Sequence, residues 1–136
     1  MSNTDEIKIA HVTAEIGGTA YKVSVGQGRH QLVADESKAM GGQDAGPSPF
    51  GLLLCSLGAC TSITLKMYAE RKGWPLESLT VDLRYFMKDK QGRIERILRA
   101  SGNLSDEQRA RLADIAERTP VTLAIRGGVP IKTTLG

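Results

Sequence analysis

Gly46-Pro47-Ser48-Pro49-Phe50-Gly51-Leu52-Leu53-Leu54-Cys55-Ser56-Leu57-Gly58-Ala59-Cys60-Thr61 decides how the rest of the chain is read. A proline-rich loop runs into a long apolar segment that carries a thiol. Ser48 is a good N-cap, and Pro49 fits the first helical position, where its missing N–H costs nothing. The helix is expected to run from Pro49 to about Lys72, with Gly73 at its C-terminal cap and Pro75 just beyond. Its first half, 50–60, is apolar nearly all round, which implies cover by protein on most sides. In a chain of 136 residues, a second subunit is the expected source of part of that cover. Gly51, Gly58 and Ala59 permit close approach.

Upstream, residues 7–14 read as a strand and Gly17-Gly18 as a turn. Tyr21, Val23 and Val25 alternate with polar residues, the period of a half-buried strand. Gly26-Gln27-Gly28 turns again and 29–34 forms a third strand, giving an antiparallel meander. Residues 35–48 form a loop rich in Gly, Asp and Ser. Its glycines lack the Lys and the strand context of a phosphate loop. Asp35-Glu36 is read as solvent-facing or capping, and His30 as structural.

Downstream, Leu79, Val81, Leu83, Tyr85 and Met87 alternate as a strand. Residues 89–92 hold a turn and 93–101 return. Ser105-Asp106-Glu107-Gln108 is a capping box. It opens a helix expected to reach about Arg118, with Pro120 just past its end. Gly127-Gly128 breaks the chain, and 129–135 is expected as a last strand. The class is α+β in one domain, 1–136, with the order βββ-α-ββ-α-β.

Composition narrows the function. Hydrophobic residues make up 40%, charged residues 24% and aromatic residues 4%, with a net charge of +3, as in ordinary globular chains. Six basic residues crowd into 84–99, against Asp89 and Glu95. No nucleic-acid motif accompanies them, so a solvated hairpin is expected and not a nucleic-acid face. The N-terminus is polar and acidic, without a signal-peptide core. The stretch 52–65 reads as too short and too polar to span a bilayer. A cytoplasmic protein with free thiols follows as the expectation. His11 and His30 lie far apart and away from any paired cysteines, so no metal and no cofactor are expected.

Cys60 is either inert core or a protected nucleophile. A thiol reacts as thiolate, and apolar burial opposes ionisation. Cys60 lies about three turns into the helix, beyond the reach of that helix's own dipole. A reactive Cys60 therefore needs charge stabilisation from elsewhere in the fold, most simply an arginine. Cys55 is five residues earlier. Helix geometry puts the two Cα atoms roughly 8–9 Å apart on different faces, too far for a disulfide, so Cys55 reads as core.

The motifs Leu32-Val33-Ala34-Asp35-Glu36, Gly41-Gly42-Gln43-Asp44-Ala45-Gly46-Pro47-Ser48-Pro49, Leu52-Leu53-Leu54, Leu57-Gly58-Ala59-Cys60-Thr61 and Met67-Tyr68-Ala69-Glu70-Arg71 resemble the OsmC/Ohr family. Arg118-Thr119-Pro120-Val121 fits as well. The resemblance implies an OsmC-like fold: an intertwined homodimer, its long central helices enclosed by curved antiparallel sheets. It also implies that Cys60 attacks an organic hydroperoxide and becomes a sulfenic acid. Phe50, Leu53 and Thr119 would line the pocket, and Arg29 would activate the thiol, with Lys38 as the other nearby cation. The chain departs from the family where a resolving cysteine would precede Pro120, since that residue is Thr119. It departs again where an acid would open the long helix, at Phe50-Gly51. Turnover would then need an external thiol reductant. The alternative is a non-catalytic protein that binds a small apolar ligand, with Cys60 structural.

Overall fold

The computed structural model describes residues 5–136; residues 1–4 of the polar N-terminal run lie outside them. The chain forms two compact units, which divide between Leu52 and Leu53.

The first unit holds an antiparallel sheet of β1 (Thr13–Ile16), β2 (Val23–Gln27) and β3 (His30–Ala34), in that order. Pairing of Gln27 with His30 closes the β2–β3 hairpin. The first strand begins six residues later than expected. Thr13 already pairs with Gly26 near the end of β2, so earlier residues find no ladder partner there.

After β3 the chain folds around Asp35, which is buried. Its carboxylate accepts the N–H groups of Glu36 at 2.7 Å, Gln43 at 3.2 Å and Ala45 at 3.1 Å. The Asp35 N–H donates to the carbonyl of Pro47. The loop turns so tightly that a Cβ on Gly42 would collide with the backbone of Glu36, and one on Gly46 with that of Val33. Both glycines are therefore steric requirements. Asp35 is a capping acid, one of the two roles expected for it. Burial pushes its carboxyl up, but the three N–H donors outweigh that and hold it below the ordinary carboxylate value.

Helix α1 (Pro49–Lys72) has the bounds its capping residues announced. Ser48 Oγ accepts from the Gly51 N–H at 3.1 Å. At the other end Gly73 takes a φ of 69°. The N–H groups of Gly73 and Trp74 bond back to the carbonyls of Glu70 and Ala69, a Schellman termination.

Within the second unit, β4 (Ser78–Lys88) and β5 (Gln91–Ser101) form a hairpin closed by Asp89 and Lys90, both at positive φ. That is a two-residue turn of the primed kind, which matches strand twist. Helix α2 (Asp106–Ala116) starts on the expected Ser105–Gln108 capping box. Leu65 and Ala69 of α1 pack with Leu76, Leu104, Leu112 and Ala116 to form the core.

The sequence expectation fails at the end of the chain. Pro120 does not merely follow a helix; it starts another, α3 (Pro120–Gly127), with extended Thr119 as its N-cap. The preceding helix stops at Ala116, short of Arg118. Residues 129–135 form no strand and are exposed. A strand needs a ladder partner, and none of the described strands pairs with them. The order among the described residues is βββ-α-ββ-α-α.

Burial along α1 is one-sided within the single chain. Leu57, Thr61, Leu65 and Ala69 are buried, one turn apart along one face. On the opposite face Cys55 and Ala59 are exposed, with Ile63 at 60% and Met67 at 48%. Cys55 is thus not core in this chain, and α1 is covered on one side only. Nor is the helix too short or too polar to span a bilayer: it has 24 residues, and its most apolar 18-residue window has a mean hydropathy of 1.5. The hydroxyls of Ser56, Thr61 and Ser62 are absorbed by carbonyls of the preceding turn, which blunts their polarity.

Candidate active site

Cys60 is partly buried on α1, and it meets the start of α3. The Val121 N–H donates to Cys60 Sγ at 3.5 Å. Pro120 carries no N–H, so the amide of Val121 is the first free donor of that helix. A helix start offers unpaired N–H groups and the positive end of the helix dipole, and both favour an anionic partner. The dipole argument from sequence holds for α1. The N–H that meets the sulfur comes from a helix that the sequence reading did not anticipate.

Thr119 is fully buried. Its side chain makes no capping bond. Its hydroxyl lies 2.6 Å from that of Thr122, which donates to the Ala116 carbonyl at 3.2 Å. With that proton committed, Thr119 is the donor to Thr122. Thr122 thus ties the end of α2 to the start of α3, and Thr119 supports it from the N-cap.

The arginine beside this junction is Arg96, not one proposed from sequence. On β5, Ile94, Arg96, Leu98 and Ala100 are the partly buried alternate positions, so Arg96 occupies the inward row. Its side chain is 11% exposed. Of the six basic residues in 84–99, the other five are exposed, as the solvated-hairpin reading expected. Strand parity was the signal available in the sequence: Arg96 alternates with Ile94, Leu98 and Ala100, whereas Arg93 and Arg99 fall on the other row, with Glu95 and the exposed Ile97. Arg29 lies exposed in the β2–β3 turn of the first unit, and Lys38 is exposed in a 3-10 turn, Lys38–Met40.

A cleft of about 550 Å³ opens beside the junction. Leu57, Ile94 and Ile125 give it apolar walls, while Arg96, Thr122 and Glu117 give it polar ones. Leu57 is one turn before Cys60, and Thr122 follows Val121. Arg126, followed by Arg96, holds the Glu117 carboxyl below its ordinary range, against the opposing effect of burial. Phe50, Leu53 and Thr119 are not among the cleft's lining residues: Phe50 is half exposed in the first turn of α1, Leu53 is partly buried, and Thr119 lies beneath the α3 start.

The OsmC-like protein family model matches residues 41–134. No protein of curated function matches the sequence. Among solved structures, an OsmC-like protein from Mycoplasma pneumoniae superposes with a TM-score of 0.78 at 19% identity, over 88% of this chain and 89% of that one. A protein assigned to organic hydroperoxide resistance from Vibrio cholerae, solved with captopril in one active site, has a TM-score of 0.66 at 25% identity, covering 93% and 90%. The organic hydroperoxide resistance protein OhrB of Bacillus subtilis gives 0.61 at 23%, covering 92% and 96%.

Proposed function

Because the chain belongs to the OsmC-like protein family, we propose that it reduces organic hydroperoxides with Cys60 as nucleophile and an external thiol as resolver. The observation that carries this reading is the Val121 N–H directed at Cys60 Sγ from the start of α3. In the reaction the thiolate attacks one peroxide oxygen and the O–O bond breaks. Cysteine becomes sulfenic acid, and the departing alkoxide takes a proton to leave as alcohol. Thr119 has no thiol to condense with that sulfenic acid. An external dithiol does so instead, releasing water and forming a mixed disulfide. Its second thiol then frees Cys60 and leaves as the cyclic disulfide.

A homodimer belongs to the same proposal. The exposed row Cys55, Ala59, Ile63 and Met67 is a helix face of small and apolar side chains that a second copy would cover. The apolar wall of Leu57, Ile94 and Ile125 in the cleft near the α1–α3 junction supports a hydrocarbon-bearing substrate. It also favours a second reading, in which the cleft binds a small ligand and Cys60 stays inert, since Cys60 is not among its lining residues. Turnover separates the two. Cumene hydroperoxide consumption with dithiothreitol is expected for the native chain and lost in Cys60→Ser. Equal consumption by both proteins, or by neither, contradicts the peroxidase reading.

A further inference from the structure

We infer that Arg96 is a positioning residue that holds the α3 start against Cys60. This rests on Cys60 being a working nucleophile but not on which oxidant it meets. Both terminal nitrogens of the guanidinium are fully engaged. Nη1 donates to Thr61 Oγ1 at 3.1 Å and to Thr122 Oγ1 at 2.9 Å. Nη2 donates to the Ala116 carbonyl at 3.0 Å and to Glu117 Oε2 at 2.9 Å.

The sequence positions of these partners give the contacts their meaning. Thr61 follows Cys60, and Thr122 follows Val121. A single nitrogen thus bridges the residue after the thiol and the residue after the amide that addresses it. The Ala116 carbonyl, where α2 ends, receives both Arg96 and Thr122, so the same guanidinium fixes the turn that aims α3. The ion pair with Glu117 is not the main effect, because that carboxylate is 50% exposed and such pairs contribute little. The fork shape is what counts: Lys would bring one nitrogen to a place where two are used.

The test measures Cys60 nucleophilicity directly, in a Cys55→Ser background so that one thiol reports. Iodoacetamide serves as reagent: sulfur forms a bond to carbon and iodide leaves. Because it needs no peroxide, the result stands whether or not the chain turns over hydroperoxides. Arg96→Met and Arg96→Lys are expected to slow alkylation about tenfold or more, the scale of loss when a reacting group is misplaced. Arg99→Met, on the outer face of the same strand, removes equal charge and is expected to leave the rate unchanged. Thr122→Val should slow the reaction and Thr122→Ser restore it, with matched thermal unfolding midpoints for that pair. If Arg96→Met does not fold, the Thr122 pair decides alone. Rates within twofold of the parent in folded Arg96 and Thr122→Val variants would overturn the inference.

Discussion

At Cys60 the neighbouring residue types explain the geometry. Pro120 has no amide to offer, extended Thr119 turns the chain into α3, and the next N–H meets sulfur. Asp35 works in the same manner elsewhere, gathering three backbone donors into one loop. Its carboxyl is held below the ordinary carboxylate value, so it stabilises the fold fully above that range. That stability is lost as pH falls through the lowered native value. Asp35→Asn puts an NH₂ where an acceptor is needed and should lower the unfolding midpoint at pH 7. The gap to the native chain should begin to narrow as the pH falls below about 4, the ordinary carboxylate value, and close only below the lowered native value, where both lack the charged acceptor. A gap that persists unchanged in acid would contradict this role. The position of Cys60 on the long helix was legible in sequence. The N–H that meets it was not, because that depends on where a chain segment 61 residues away comes to rest.

Among the elements, α1 was readable to the residue because both ends carry unambiguous chemistry: Ser48 and Pro49 at the start, Gly73 at the stop. The α2 start was equally plain from its capping box. Pro120 was ambiguous, since proline both follows helices and opens them. That ambiguity concealed α3, and with it the amide at Cys60. Arg96 was hidden differently, by being read with the exposed charges around it and not by its strand parity. Core packing holds these elements in place. Leu65 is fully buried among Leu76, Leu104 and Leu112. Leu65→Ala should cost about 2–5 kcal/mol in chemical denaturation. A loss under about 1 kcal/mol would mean that this cluster is not the core of the second unit.

For the whole molecule, the unpartnered side of α1 and the exposed end of the chain set the scale. Ile63 and Met67 lie open on the helix, and Ile131 is 88% exposed. Exposed apolar side chains along α1 are what the proposed second copy would cover. A homodimer by light scattering at micromolar concentration is the expected result, and Ile63→Lys should shift it towards monomer. A monomeric native chain would contradict the second-copy proposal. Antiparallel pairing, the α+β class and the family were all legible in one sequence. The unpaired state of residues 129–135 was not, since a strand depends on a ladder partner and not on a local pattern alone. The most direct test of the central claim is chemical: expose the native chain to one equivalent of cumene hydroperoxide, trap sulfenic acid with dimedone, and map the adduct by mass spectrometry. The account predicts labelling at Cys60, with exposed Cys55 unlabelled. An unlabelled Cys60, or an adduct on Cys55 alone, would contradict it.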